Sequence, residues 1–441
     1  MEPPLPVGGR TPTRGRRSVA ALLVVMVTGA ALAADGRLVR SVDVGHGGAD
    51  WPGWGFTHTQ YSADHGEDAA VRSVELTLAA QPMAQAQAIM GWGAHNPEPS
   101  PGVYDFTSLD ERMDFIRRSG GTPVITLCCA PDWMKGGAPG KTEWSRLTEA
   151  PSREHYADFA ALSAVVARRY PYVRHFMVWN EWKGFFDEEE NRWDAEGYTD
   201  LYNQVYDALK AVDPHNRVGG PYLDMSSEPA GSPNASASLS GSWGSADQRV
   251  VDAVTHWLQY KHGADFVVVD GHATTATGAA DEFAALSKLS AVNRWIRAQT
   301  DLPIWWSEWY VERAGTDWSP QRRVALRAAA MIELAQSGAQ TVLYWNSRPS
   351  GRECATCLWT DTRAEDGGQP LPFLTEVLQP FARWFPPGTQ LRSTPAPPGL
   401  RVLAQDRAMV VVNTTDEGVA ATVDGHRIAL APYETRWFTA P

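Results

Sequence analysis

Eight apolar, strand-like runs alternating with helix-like segments predict an α/β fold: a (β/α)8 TIM barrel with a small C-terminal antiparallel β-module. Three observations carry that prediction. Most of the runs are short and apolar, as in parallel strands covered on both faces, the run at 217–221 being the weakest. Their alternation with helices extends over roughly 330 residues, which fits a barrel with enlarged top loops. After Pro386-Pro387-Gly388 the helices stop, and short strands follow one another through turn sequences.

The first strand is expected at 54–58 and its helix at 68–80. The second strand is read at 88–92, with a helix at 109–118. The third, at 123–127, leads into Ala130-Pro131-Asp132-Trp133. Apolar spacing of three and four and a basic last turn mark a helix at 155–169. The fourth strand, 173–180, is followed by a helix at 198–212 that Asp213-Pro214 stops. The fifth and sixth strands fall at 217–221 and 265–270, with a helix at 281–299. The seventh strand is 303–308, and Pro320 opens the next helix, 320–337. The eighth strand is 340–345 and the closing helix 373–385.

Five short strands then follow, at 400–403, 408–413, 419–423, 427–430 and 435–438, with Asp424-Gly425 as a hairpin turn. The domain reading is an export signal at 1–34, a barrel at 45–385 and a β-sandwich-like module at 386–441, to which 37–44 is a candidate added strand. An open doubly wound sheet is the competing fold. The Ser/Gly/Ala/Pro-rich stretch 226–245 reads as a flexible loop, with a lid over the barrel mouth as its functional reading.

A chain of 441 residues that is 43% hydrophobic and 20% charged has ample material for a core. Its net charge of −12 argues against nucleic acid as a partner, since phosphate binding depends on clustered Lys and Arg. Arg14, Arg16 and Arg17, the apolar run 19–32 and Ala31-Leu32-Ala33 form the pattern of an export signal, and the expected location is extracellular. That run is shorter than the ~20 residues of a membrane span, so no stable span is expected. Arg16-Arg17 keeps twin-arginine export open as the route. A local disulfide is the favoured reading of Cys354 and Cys357, with a four-thiolate zinc site shared with Cys128-Cys129 as the alternative. The 19 tryptophans suit stacking on sugar C–H faces, although most of them are expected in the core.

Two strand runs end abruptly in a glutamate: Phe176 to Glu181 and Leu302 to Glu308. In a barrel the tops of the fourth and seventh strands face one another across the mouth, where barrel enzymes place their chemistry. Two carboxyl groups so placed suit glycoside hydrolysis, one as acid/base and the other as nucleophile. Asn180 supplies a neutral amide for a sugar 2-hydroxyl. Further candidates for substrate binding are His58, Asp132, Trp133, His272, Trp309, Tyr310 and Trp345, all near strand ends. Trp179 and Trp182 are apolar neighbours expected to raise the pKa of Glu181, and Tyr310, Asn180 or His272 to donate to Glu308. Lys183 would suit an acidic sugar, and Asn346 and Arg348 are candidates for the mouth. No cofactor or metal is expected, because a two-carboxylate mechanism needs neither.

Val178-Trp179-Asn180-Glu181 and Trp306-Ser307-Glu308 resemble clan A glycoside hydrolases, and within them family 39, which includes β-xylosidases and α-L-iduronidases. The resemblance covers 51–385 and extends to the small β-module. It implies that Glu181 is the acid/base, Glu308 the nucleophile and Asn180 the 2-hydroxyl partner. One position departs: His272 stands where the family has a histidine, but Ala273-Thr274 follow where it carries an aromatic. The leading expectation is a secreted retaining glycosidase of β-xylosidase-like exo-action on an oligosaccharide or polysaccharide. An endo-acting hydrolase of a cell-surface or matrix polysaccharide is the alternative, and a non-catalytic carbohydrate-binding barrel the alternative from another class.

Overall fold

A computed structural model describes residues 51–229, 231–273, 281–311, 317–347 and 354–439. The export signal at 1–34, the candidate strand 37–44 and Arg348 lie outside the described residues. Eight parallel strands close into a barrel: β1 (Trp54–Thr57), β2 (Ala84–Ala88), β3 (Thr122–Leu127), β4 (His175–Val178), β5 (Arg217–Asp224), β6 (Phe266–His272), β7 (Ile304–Tyr310) and β8 (Ala339–Trp345). Each pairs with its sequence neighbours, and β1 pairs with β8. The open doubly wound alternative is thereby excluded. The surrounding helices are α1 (Asp68–Ala79), α2 (Thr107–Arg118), α3 (Tyr156–Arg169), α4 (Ala195–Val212), α5 (Gln248–Tyr260), α6 (Ser287–Gln299), α7 (Pro320–Gln336) and α8 (Gln379–Trp384).

The second strand is displaced from its expected place: it is Ala84–Ala88, not 88–92. Its Ala-Gln-Ala-Gln-Ala sequence lacks the apolar run that marks the other strands. Ala84 and Ala86 face the barrel interior beside Val124, Met177 and Leu343. Gln85 and Gln87 face the helices, where their amides are satisfied. Gln85 bonds His58 and Ser119, and Gln87 accepts from Arg112.

Aromatic side chains fill the barrel floor: Phe266 stacks on Trp305 with ring centroids 3.8 Å apart, and Trp51 meets both edge-on. Gly219 makes room for that stack, since a Cβ there would come within 2.2 Å of the Phe266 ring.

Two irregularities set the barrel mouth. The register of β5 against β6 slips between Val268 and Val269, so Tyr222 is the extra residue. That of β6 against β7 slips between Val269 and Asp270, skipping Ser307. Both are bulges, which re-aim side chains. Their effect on β7 is visible in its tryptophans. Trp305 and Trp309, four residues apart, would share a face in a regular strand. Trp305 instead lies inside the barrel and Trp309 outside it, against Tyr344 and Phe373.

The stretch 226–245, expected as a flexible loop, is folded. Ser227–Glu228, Ala235–Gly241 and Gly244–Asp247 form a three-stranded antiparallel sheet. Its small residues misled the reading, because one large side chain anchors it: Trp243 is buried, with the Lys288 ammonium 5.9 Å over its ring.

Beyond the barrel, β9 (Leu400–Gln405), β10 (Ala408–Asn413) and β13 (Thr435–Thr439) form one antiparallel sheet, and β11 (Val419–Val423) and β12 (His426–Leu430) a hairpin. Asp424 and Gly425 both have positive φ, as a two-residue type I′ turn requires. Alternate residues of β10 serve two cores: Met409 and Val411 pack toward the hairpin, Val410 and Val412 toward the barrel. Trp437 Nε1 donates to the Glu376 carbonyl at 2.8 Å and its ring packs on Phe381 and Phe385. Among the described residues no helix is long and apolar enough to cross a membrane.

Candidate active site

Glu181 sits in the turn after β4, which is built from unusual backbone. Trp179, Glu181 and Trp182 all have positive φ, at 69°, 48° and 48°. Non-glycine residues in that region cost about 1–3 kcal/mol each, so packing has to hold them. It does: Trp179 Nε1 donates to the Lys183 carbonyl at 2.8 Å, and Trp182 Nε1 to that of Pro221 at 2.7 Å. Trp182 also stacks on Tyr198 at 4.1 Å. Both indoles are buried in the outer core and act as anchors of the turn, where the sequence suggested an apolar wall for Glu181.

Glu308 reaches the mouth through the β7 bulge. One carboxyl oxygen each of Glu181, Asp270 and Glu308 lies within 4.8 Å of the others. Tyr222 donates its phenol to Glu308 Oε1 at 2.6 Å, and Asn180 Nδ2 donates to the same oxygen at 3.3 Å. The Lys183 ammonium pairs with Glu181 Oε2 and sits 5.8 Å over the Trp92 ring. The pocket encloses about 340 Å³ and is walled by Trp92, Lys183, Tyr310, Trp345, Ser347 and Thr356 around the two glutamates and Asn180.

Burial dominates the electrostatics. It pushes the Glu308 carboxyl well above its ordinary range, and the Glu181 charge adds to the rise. Asp270 is raised as well, by burial first and then by Glu181, Asp224 and Glu308 around it. Asp224, bonded by Ser226 at 2.7 Å, is also raised by burial. Burial lowers the Lys288 ammonium to about 8, against the pull of Asp224 and Asp270. Its Nζ donates to the His272 carbonyl at 2.8 Å. For Lys183, burial is outweighed by the charge and hydrogen bond of Glu181, and its pKa rises. Tyr222 is held protonated by burial and by the Glu308 charge, and so remains a donor.

Of the residues proposed from sequence, Glu181, Glu308, Asn180, Tyr310 and Trp345 come together in the pocket. His272 closes β6 beside Tyr310, with ring centroids 5.6 Å apart. Five assignments are corrected. His58 spends both ring nitrogens on Ser62 and Gln85, at 2.7 and 2.9 Å, and burial lowers its pKa to about 3. It is a neutral structural histidine with no ring nitrogen left for a sugar. Asp132 is buried and holds the Glu143 amide and, at 3.4 Å, Lys135. Trp133 is buried, its Nε1 donating to the Glu98 carbonyl at 2.9 Å. Trp309 is turned outside by the bulge. Asn346 is likewise structural, its side chain accepting from the Leu358 amide at 3.0 Å.

Sequence reasoning missed Tyr222, Asp270 and Trp92. Tyr222 is hidden by its bulge. Asp270, the acidic end of the sixth strand run, was legible as a third strand-end carboxylate. Both cysteine pairs are disulfide-bonded, Cys354 to Cys357 and Cys128 to Cys129, which removes the thiolates a zinc site needs.

A closed parallel barrel with paired glutamates on its fourth and seventh strands defines the clan A glycoside hydrolase class. Residues 95–352, more than half of the chain, match the family model of glycosyl hydrolases family 39, and the chain belongs to that family. No curated relative matches the chain. Solved structures share its fold. A β-xylosidase from Caulobacter crescentus CB15 is 18% identical, over 83% of this chain and 74% of its own, with a TM-score of 0.54. A glucosidase from Croceicoccus marinus is 14% identical over 89% and 83%, with a TM-score of 0.52. An endo-β-1,4-mannanase from Thermotoga petrophila is 10% identical over 88% and 91%, with a TM-score of 0.50.

Proposed function

We propose that the protein is a retaining O-glycosidase, with Glu181 as acid/base and Glu308 as nucleophile. The observation that carries this reading is the separation of their carboxyl oxygens, within 4.8 Å. Retention calls for carboxyl groups about 5–5.5 Å apart, whereas inversion needs about 6.5–9.5 Å to admit a water. Both donors to Glu308 converge on Oε1, which leaves Oε2 to attack the anomeric carbon. As that bond forms, the C–O bond to the leaving group breaks and Glu181 gives its proton to the departing oxygen. Glu181 then takes a proton from water, whose oxygen displaces Glu308 from the same carbon.

Tyr222 and Asn180 donate to Glu308 alone, and hydrogen bonds to a carboxylate favour its ionised form, the form a nucleophile needs. Lys183 neutralises Glu181 in the arrangement seen here.

The first substrate reading is exo-action on β-xylosides, supported by the sequence resemblance and by β-xylosidases among the similar folds. Endo-action is the second reading, favoured by a cavity that adjoins the catalytic pocket. The N-terminal basic, apolar and small-residue pattern supports export from the cytoplasm.

The test is an aryl-glycoside panel read by NMR for the anomer first released. Retention supports the mechanism, and an inverted first product ends it. Glu308→Ala should lose nearly all turnover and regain part of it with azide, which attacks the vacated face. Glu181→Ala should harm poor leaving groups far more than activated ones. An active Glu308→Ala variant would void the assignment.

A further inference from the structure

Beside the catalytic pocket lies a second cavity, of about 620 Å³, over the tops of β1 to β3. Its walls come from three successive loops: Tyr61 and His65 after β1, Trp92 after β2, and Trp144 after β3, with Arg112 of α2 beneath. The catalytic pocket draws its carboxylates from β4 and β7 instead. Trp92 lines both cavities and is the wall between them. Its backbone is fixed in the left-handed region, φ 47°, inside the turn that Gly91 and Ala94 close.

We propose that this cavity is a second carbohydrate subsite, continuous with the catalytic pocket across Trp92, so that the cleft takes an oligosaccharide and not a single sugar. The inference rests on the glycosidase reading and goes beyond it by assigning a site for further sugar units.

Size is the first argument. Together the two cavities approach the upper end of the ~300–1,000 Å³ range of ligand pockets, more than one pyranose ring fills. The second is Trp144, among the described residues the one tryptophan that stands well out in solvent, with 48% of its surface exposed. It opens a 3-10 turn, Trp144–Arg146, on the cavity rim. A flat ring at a rim suits the C–H face of a sugar, which a hydrated peptide or a phosphate does not offer.

The third argument is the floor. Arg112 is buried and pinned by Asp64 at 2.8 Å and by Gln87 Oε1 at 2.5 Å. Its charge is already answered, so the floor presents fixed polar groups without a net field. His65, His95 and Glu111 stand exposed around it as donors and acceptors for hydroxyls. Aromatic walls and a charge-paired floor suit uncharged pyranose units, and the Glu111 carboxylate disfavours acidic ones.

The experiment compares the aryl monoglycoside turned over fastest with the disaccharide and hexasaccharide of the same sugar. In the native enzyme kcat/KM should rise with chain length. Trp144→Ala, outside the catalytic pocket, should remove at least about tenfold of that gain through KM. It should leave the aryl monoglycoside within about twofold, since that substrate does not reach the rim. A kcat/KM flat with length, or an equal loss on every substrate, overturns the subsite while leaving the glycosidase reading intact. If no aryl glycoside is turned over, the catalytic reading falls and the cleft is judged by calorimetry. Binding of xylohexaose, cellohexaose or mannohexaose that weakens in Trp144→Ala then upholds the subsite, and absence of binding to all three ends it.

Discussion

The phenol of Tyr222 donates to Glu308 Oε1 at 2.6 Å, although the two residues are 86 positions apart and on strands that do not touch. Strand β6 lies between theirs, and its two neighbours are bulged against it at successive steps, on either side of Val269. One bulge turns the tyrosine inward at φ 57°; the other turns the glutamate inward.

Removing this hydroxyl tests its part in catalysis. Tyr222→Phe should lower kcat by roughly ten- to a hundredfold, as when one donor to a charged centre is lost. The Tyr222 hydrogen bond pulls the Glu308 pKa down, so its loss should move the acidic limb of the pH–rate profile upward. An unmoved limb with unaltered kcat would leave Tyr222 a packing residue only.

The buried carboxyl cluster has a signature in stability. Glu308, Asp224 and Asp270 all hold protons above the ordinary carboxylate range, so the folded chain binds more protons than the unfolded one. Their contribution is complete below that range and is lost as pH climbs through the raised values. Lys288 acts in the opposite sense, and only above about 8. The thermal midpoint should therefore fall between about pH 5 and about pH 8, and Asp270→Asn should flatten that fall. Parallel curves for the two proteins would remove Asp270 from the account.

The small sheet at 226–247 should behave as a folded element. Trp243→Ala removes its one large buried side chain, at a cost of about 3–5 kcal/mol if the site does not collapse. Limited proteolysis should then cut within this segment first. A native chain already cut there as readily as the variant would restore the flexible-loop reading.

The C-terminal strands share their core with the barrel. A chain ending at Phe385 uncovers the surface now packed by Leu403, Val410, Val412 and Trp437. It should be recovered mainly as aggregate. Trp437→Ala in the full chain, at a half-buried site, should lose about 1–3 kcal/mol. A soluble, active truncated barrel would show that the module is dispensable.

The barrel was legible in the sequence because most of its strands are apolar runs, buried on both faces. The second was misplaced because its outward glutamines are satisfied by His58, Ser119 and Arg112, partners that only the fold supplies. The glutamate pair could be read because each ends such a run. Trp309 and Tyr222 could not be oriented, because alternation along a strand breaks at a bulge and no residue announces it. Trp133 and His58 are the ordinary hazard of strand ends, where a polar or aromatic side chain serves the core as readily as the mouth.

The bulges also make the active site a matter of parity. Side chains of a strand alternate with a period of two, so one residue more or less inverts everything above it. In β7 the bulge absorbs Ser307 as an extra residue, so that Glu308 keeps its place paired with Asp270. A β7 paired with β6 straight through Ser307, without the bulge, would still let eight strands close around the same aromatic floor. The lower half of the strand would not register the change. At the top, Trp309 would follow Trp305 into the lumen, and the Glu308 carboxylate would point into the helical shell. Such a barrel would keep its fold and lose its chemistry through a single step of register.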